Sequence, residues 1–303
     1  METNNNPLLC DVETGMCELP GQATTTDTAE LQTGNKPVKI IYFTDPICST
    51  CWGIEPQLRK LKLEYGHDTR INYHMGGLLP DWSYNSGGIS KPSDVAHHWD
   101  EVSAYYNMPI DGDVWLEDPL DSSYPPSIAF KAAQIQSKVK ALNFLRHLRE
   151  MVFLQKKNIT KWVHISVAAT SAGLDPEQLQ TDMAGMGRTL FYQDLDLAKM
   201  MGVRGFPTIF ITGRSGTTEK VYGYKPYNVY EDAIGKTHPD ILKQPYLKNW
   251  SDLFGKYPTL TNREFAELSD MELNNAESLL NDLLSEGAIQ QYRTKNGPLW
   301  MRS

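Results

Sequence analysis

Cys48 and Cys51 stand two residues apart in the stretch Lys39-Ile40-Ile41-Tyr42-Phe43-Thr44-Asp45-Pro46-Ile47-Cys48-Ser49-Thr50-Cys51-Trp52. Two thiols at that spacing can close a small disulfide ring at a helix start, and the unpaired N–H groups of a helix N-terminus favour a thiolate. Cys48, at the outermost turn, is the expected nucleophile, with its thiol drawn below the ordinary value of about 8.5. Cys51, one turn further in, can attack any mixed disulfide that Cys48 forms. The competing reading is half of a zinc site, which needs a second pair of ligands. Cys10 and Cys17 flank a turn-forming Thr14-Gly15. They could close their own disulfide, bind metal or reach Cys48 as auxiliary thiols; the plainer reading is two exposed tail thiols without a shared role.

The elements that must position the dithiol follow from periodicity. The apolar run over 38–43 reads as a strand that breaks at Pro46 into a reactive turn. A helix then starts at Cys48 and runs through Leu58, Leu61 and Leu63 to about Tyr65, with Pro56 kinking it from inside. Arg70 to Met75 is a second strand, giving a parallel strand–helix–strand unit. From Pro80 to about Gly187 the pattern is helical, and Ser127 to Leu154 carries Ile128, Ala132, Ile135, Val139, Leu142, Leu145, Leu148 and Val152 on one helical face. Trp82, Tyr84, Trp99, Tyr105, Tyr106 and Trp115 read as core or as the lining of a groove. His97, His98, His147 and His164 read as surface or internally satisfied histidines. A further helix over 193–201 leads to Arg204-Gly205-Phe206-Pro207-Thr208, where a proline opens an apolar strand because it cannot donate to a ladder, and where a cis peptide bond is expected. Gly213 and Gly216 mark a hairpin, and Tyr227 to Ile234 closes the domain.

Composition bounds the classes of function. The chain has 303 residues, 40% of them hydrophobic and 22% charged, and its mean hydropathy is -0.45, as in an ordinary soluble protein of about two domains. No apolar run approaches the roughly 20 residues of a membrane span. A net charge of -8 argues against general affinity for nucleic acid or anionic lipid. The N-terminus shows no secretory pattern, and four cysteines are too few for a disulfide scaffold, so a reducing cytoplasm is the expected setting. Residues 1–37 read as a flexible tail and 237–258, with three prolines, as a linker. Residues 259–303 suggest two helices and a hairpin wing, a small winged-helix-like module. Its four basic residues stand against seven acidic ones, so protein contact is favoured over duplex binding.

The order strand, C-x-x-C helix, strand, long helical insert, then Gly205-Phe206-Pro207-Thr208 and a hairpin, resembles the DsbA family of thioredoxin-fold proteins over residues 38–236. The resemblance implies an α/β thioredoxin fold with a large helical insertion at about 80–187. It also implies a cis-proline at Pro207 opposite Cys48, with Phe206, Thr208 and Trp52 lining the substrate cleft. A closer resemblance runs over nearly the whole chain. Asp45-Pro46-Ile47-Cys48, Cys51-Trp52, Glu55-Pro56, Lys60-Leu61-Lys62, Phe130-Lys131-Ala132-Ala133 and Lys156-Lys157-Asn158-Ile159-Thr160 resemble the SpxH (YjbH) branch. Its members are known as cytosolic adaptors that present the regulator Spx to the ClpXP protease.

Two functions follow as expectations. The one preferred on the dithiol is a cytosolic thiol–disulfide oxidoreductase or isomerase acting on a protein thiol or disulfide client, without cofactor or metal: Cys48 attacks, Cys51 resolves and Pro207 shapes the cleft. The alternative is an SpxH-like adaptor in a protease–client complex of the ClpXP/Spx type. In neither is nucleic acid or membrane a partner.

Overall fold

The structure, a computed structural model, describes residues 36–83 and 91–303; Cys10, Cys17 and Tyr84 lie outside the described residues. Pro37–Ser303 forms one compact unit. It opens with strand β1 (Val38–Thr44), helices α1 (Ser49–Gly53) and α2 (Glu55–Tyr65), and strand β2 (Thr69–Met75). Helices α3 (Pro92–Tyr106), α4 (Val114–Glu117), α5 (Tyr124–Gln136), α6 (Lys138–Leu154), α7 (Trp162–Ser171), α8 (Pro176–Ala184) and α9 (Met186–Met200) intervene before the chain returns to the sheet. The return is made by β3 (Thr208–Thr212), β4 (Thr218–Tyr222) and α10 (Tyr227–Thr237), and the chain ends in α11 (Trp250–Lys256), β5 (Thr259–Thr261), α12 (Asn262–Ser269), α13 (Leu273–Ser285), β6 (Ile289–Thr294) and β7 (Gly297–Arg302).

The main sheet has the order β2-β1-β3-β4, with β1 parallel to β2 and antiparallel to β3. A strand in the middle of a sheet covered by helices must be apolar on both faces. β1 meets that demand with Val38, Ile40, Tyr42 and Phe43 buried, and its register sets Tyr42 beside Tyr73 with ring centroids 5.2 Å apart.

The helix expected from Cys48 to Tyr65 is two, broken at Ile54. Pro56 falls in the first turn of α2, where its missing N–H would have no partner, so it starts a new helix rather than bending an old one. The helical face expected over Ser127 to Leu154 is likewise divided. Ser137 turns out into an extended conformation and its hydroxyl accepts the Lys140 N–H at 3.3 Å, capping α6. The chain therefore changes direction, and Ile135 and Val139 end up exposed instead of in the packed face.

Residues 237–258 are more than a connection, since α11 sends Leu253 and Phe254 into the C-terminal core. That core also holds Leu260, Phe265, Leu280 and Trp300, over a small sheet of order β5-β7-β6. The module is clasped to the rest of the unit at several places. α12 packs along α2, whose Leu63 joins the C-terminal core. At the hairpin tip, Lys295 reaches Asp100 at 2.7 Å and Asp113 at 2.8 Å, and the Asn296 amide donates to the Ile110 carbonyl.

Candidate functional site

β1 ends in a turn that its own sequence writes. The Asp45 carboxylate accepts the Ile47 N–H at 3.0 Å, an Asx turn, and the Cys48 N–H reaches back to the Asp45 carbonyl at 3.3 Å. Cys48 is thereby set as the N-cap of α1, and its sulfur accepts the Cys51 N–H at 3.3 Å. The sulfur occupies the place a serine oxygen takes in an ordinary cap. Across the cleft the Phe206–Pro207 bond is cis, and the Cys48 thiol donates toward the Phe206 carbonyl at 3.7 Å. Cys48, Cys51 and Pro207, distant in sequence, thus meet in one place.

Of the three residues expected to line the cleft, Phe206 is half-buried beside Gly76, close enough that a Cβ there would lie 2.0 Å from its ring. Thr208 is buried and its hydroxyl donates to the Gly205 carbonyl at 2.7 Å, tying down the proline loop rather than facing a ligand. Trp52 must be corrected. It is fully buried, its indole N–H donates to the Pro109 carbonyl at 3.0 Å and its ring stacks on Phe153. It belongs to the floor that joins α1 to the insert and can touch no client.

Among the aromatic residues of the insert, Trp99 and Trp115 are core. Tyr106 is largely buried, and its hydroxyl shares a hydrogen bond with that of Thr50 at 3.0 Å, between the two cysteines. Tyr105, 69% exposed, and Tyr224 pack against Tyr106 and extend an aromatic rim beside the dithiol.

Arg149, which α6 sets beside the dithiol, was not singled out in the sequence. Arg149, 1% exposed, pairs with Glu55 and donates to the Thr44 hydroxyl at 2.6 Å, which in turn donates to the Tyr42 hydroxyl at 3.0 Å. Leu145, Arg149 and Val152 share one helical face, so the signal was a charge at a core-facing position. Asp45 is buried, and desolvation pushes its carboxyl up to about 6 against the hydrogen bonds from Leu78, Ile47 and Ser123.

These surroundings push the two thiols in opposite directions. Burial pushes the Cys48 thiol up, and the nearby Cys51 and Asp45 add to the effect, outweighing the Cys51 N–H. Cys51 is also opposed by burial, but the hydrogen bond from Cys48, the Arg149 guanidinium and the Thr44 hydroxyl together draw it below the ordinary cysteine range. The Arg149 guanidinium favours a thiolate on the pair. Replacing Arg149→Met should therefore raise the midpoint of the first thiolate ionisation, read from ultraviolet thiolate absorbance against pH. An unmoved midpoint in a folded variant would remove Arg149 from this account.

A second buried network lies just beyond Trp52. Arg146 sits over the Trp52 ring at 4.4 Å and donates to both oxygens of Glu264 at 2.7 and 3.1 Å, while Arg59 approaches the same carboxylate at 3.3 Å. Glu264 belongs to the C-terminal module, so the module's buried charge is held by α2 and α6, the helices that also floor the dithiol. The two arginines hold Glu264 well below the usual carboxylate range despite its burial. Among the described residues, no three His, Cys, Asp or Glu side chains group so as to hold a metal ion, and no helix is long and apolar enough to cross a membrane.

Residues 42–232 match the family model described as thioredoxin. The ClpXP adapter protein SpxH of Halalkalibacterium halodurans is 35% identical over 99% of this chain and 99% of its own length. That of Bacillus subtilis is 29% identical over 88% of this chain and 89% of its own. Among solved structures, a candidate protein disulfide isomerase from Nitrosomonas europaea matches with a TM-score of 0.58 at 16% identity, covering 66% of this chain and 97% of its own. The cytosolic disulfide reductase DsbM from Pseudomonas aeruginosa matches with a TM-score of 0.51 at 19% identity, over 65% of this chain and 94% of its own. At these identities the structural likeness speaks for the fold.

Proposed function

The chain belongs to the thioredoxin family and, within it, to the SpxH branch, and from that premise we propose that it is an adaptor that presents a protein client to the ClpXP protease. The observation that carries this reading is the extent of the likeness. The thioredoxin match ends at residue 232, whereas the SpxH relative from Halalkalibacterium halodurans runs along 99% of the chain, C-terminal module included. The geometry supports it: the module is fastened to the dithiol domain by buried charge, so the two present one continuous surface, and the tyrosine rim of Tyr105 and Tyr224, packed on Tyr106, offers a client amphipathic contact.

The preference drawn from the dithiol alone is thereby reversed. Cys48 is only 5% exposed, which restricts a client's access to its sulfur. Thiol exchange remains as a second reading, favoured by the approach of Cys48 to the Phe206 carbonyl and by the lowered Cys51. The adaptor reading is tested with purified ClpXP and Spx of Halalkalibacterium halodurans. Adding the full chain should speed Spx degradation several-fold in proportion to complex formed; a rate unchanged at saturating chain would sink the proposal.

A further inference from the structure

Behind the dithiol, on the far side of Arg149, lies a cavity of about 470 Å³ between α2, β2, α6 and the 256–259 segment. Its charge is uneven. Arg59, Lys62, Arg146, Arg149 and Lys256 line it together with His147, against the single carboxylate of Glu55. Glu150 and Glu264 just beyond the wall take up Arg146 and Arg59, and Glu55 takes up Arg149. Lys62 and Lys256 have no carboxylate at ion-pair distance among the described residues; the Lys62 ammonium lies 5.2 Å from the Tyr73 ring centroid. The Nε of Arg149 is buried without a hydrogen-bond partner. A buried guanidinium N–H normally finds an acceptor, and leaving one without is costly. Apolar lining comes from Val139, Leu142 and Leu145 of α6 and from Pro258.

We propose that this cavity binds a small organic phosphate, its anionic head met by Lys62 and Lys256 and its apolar body laid against Leu142 and Pro258. Lysines without a carboxylate at ion-pair distance supply donors for a tetrahedral oxyanion, which presents more acceptor oxygens than a carboxylate. The volume exceeds what inorganic phosphate fills and suits a recessed small molecule better than a peptide chain crossing the surface. The site shares no residue with the tyrosine rim, and its occupation is separable from client binding.

Titration calorimetry of the full chain with phenyl phosphate tests the assignment. Phenyl phosphate should bind, more tightly than inorganic phosphate because of its ring and than benzoate because of its head. The double variant Lys62→Met with Lys256→Met should weaken it at least about tenfold, since each charge-assisted bond contributes that order. Lys62→Arg with Lys256→Arg, which keeps the charges, should restore much of the affinity and guards against a mere packing defect. No heat with phenyl phosphate, equal affinity in the methionine variant, equal affinity for benzoate, or tighter binding of a phosphotyrosine peptide would each overturn the proposal. None of these readings depends on protease or exchange activity, so the adaptor reading stands or falls apart from them.

Discussion

Glu264→Ala is expected to lower the stability of the full chain by about 3–5 kcal/mol, the cost of leaving buried charges without their partner. The Glu264 side chain is fully buried and receives both guanidiniums, Arg146 in bidentate fashion and Arg59 at 3.3 Å. It also accepts the Thr261 N–H at 2.8 Å, while the Thr261 hydroxyl accepts the Glu264 N–H, so the same residue completes the capping box of α12. Alanine removes the anion, the cap and the bridge to α2 and α6 at once. Urea unfolding would read the loss, and limited proteolysis near Tyr257 should quicken as the module loosens. Glu264→Gln keeps the shape and most hydrogen bonds, so it should fold and lose less.

The same carboxylate gives a pH dependence whose sign is fixed. Its folded value is held below the ordinary one of about 4.3. The stabilisation is therefore fully present above that ordinary value and is lost as pH falls through the lower folded value. Wild type should weaken relative to Glu264→Gln below about pH 4, the two curves converging in acid. Parallel curves throughout that range would mean that Glu264 is not ionised against the arginines. The result matters for function because it shows why deleting 259–303 is a poor separation of roles: it would strand Arg59 and Arg146 under the dithiol floor. Point variants in the full chain keep that floor intact.

The strand and the reactive turn were legible because each is written locally, whereas Pro56, read as a kink inside one helix, opens a second. The apolar run of β1 breaks at Pro46, and Asp45 closes its own turn. The meeting of Pro207 with Cys48 was legible only through resemblance, since nothing local joins residues so far apart. The break between α5 and α6 was hidden because apolar periodicity runs straight through Ser137, whose capping role depends on the turn that follows. Arg149 was hidden for a different reason: its partners Glu55 and Thr44 lie 94 and 105 positions away. Trp52 was misplaced because its place in the cleft came from the resemblance, whereas its indole packs into the insert against Pro109 and Phe153. The expected lowering of the Cys48 thiol weighed the helix N-terminus and not burial, which pushes that thiol up.

The second large effect concerns the dithiol itself. In exchange, the Cys48 thiolate would attack a client disulfide and expel one client thiolate; Cys51 would then attack the mixed disulfide and expel the other. The client disulfide is reduced to two thiols and the chain is left oxidised at Cys48–Cys51. Serine cannot form the mixed disulfide. Cys48→Ser with Cys51→Ser should therefore abolish any insulin-disulfide reduction outright. The shape of the site should survive, because a serine hydroxyl at position 48 can accept the same N-cap hydrogen bond from residue 51.

That double variant also provides the most direct test of the adaptor reading, through the rate at which ClpXP degrades Spx in its presence. Client presentation by a surface predicts a rate within about twofold of wild type, since a twofold change corresponds to well under one kcal/mol of binding. A folded double-serine chain that leaves Spx degradation at the rate seen without any adaptor would contradict the account and return the function to the thiols.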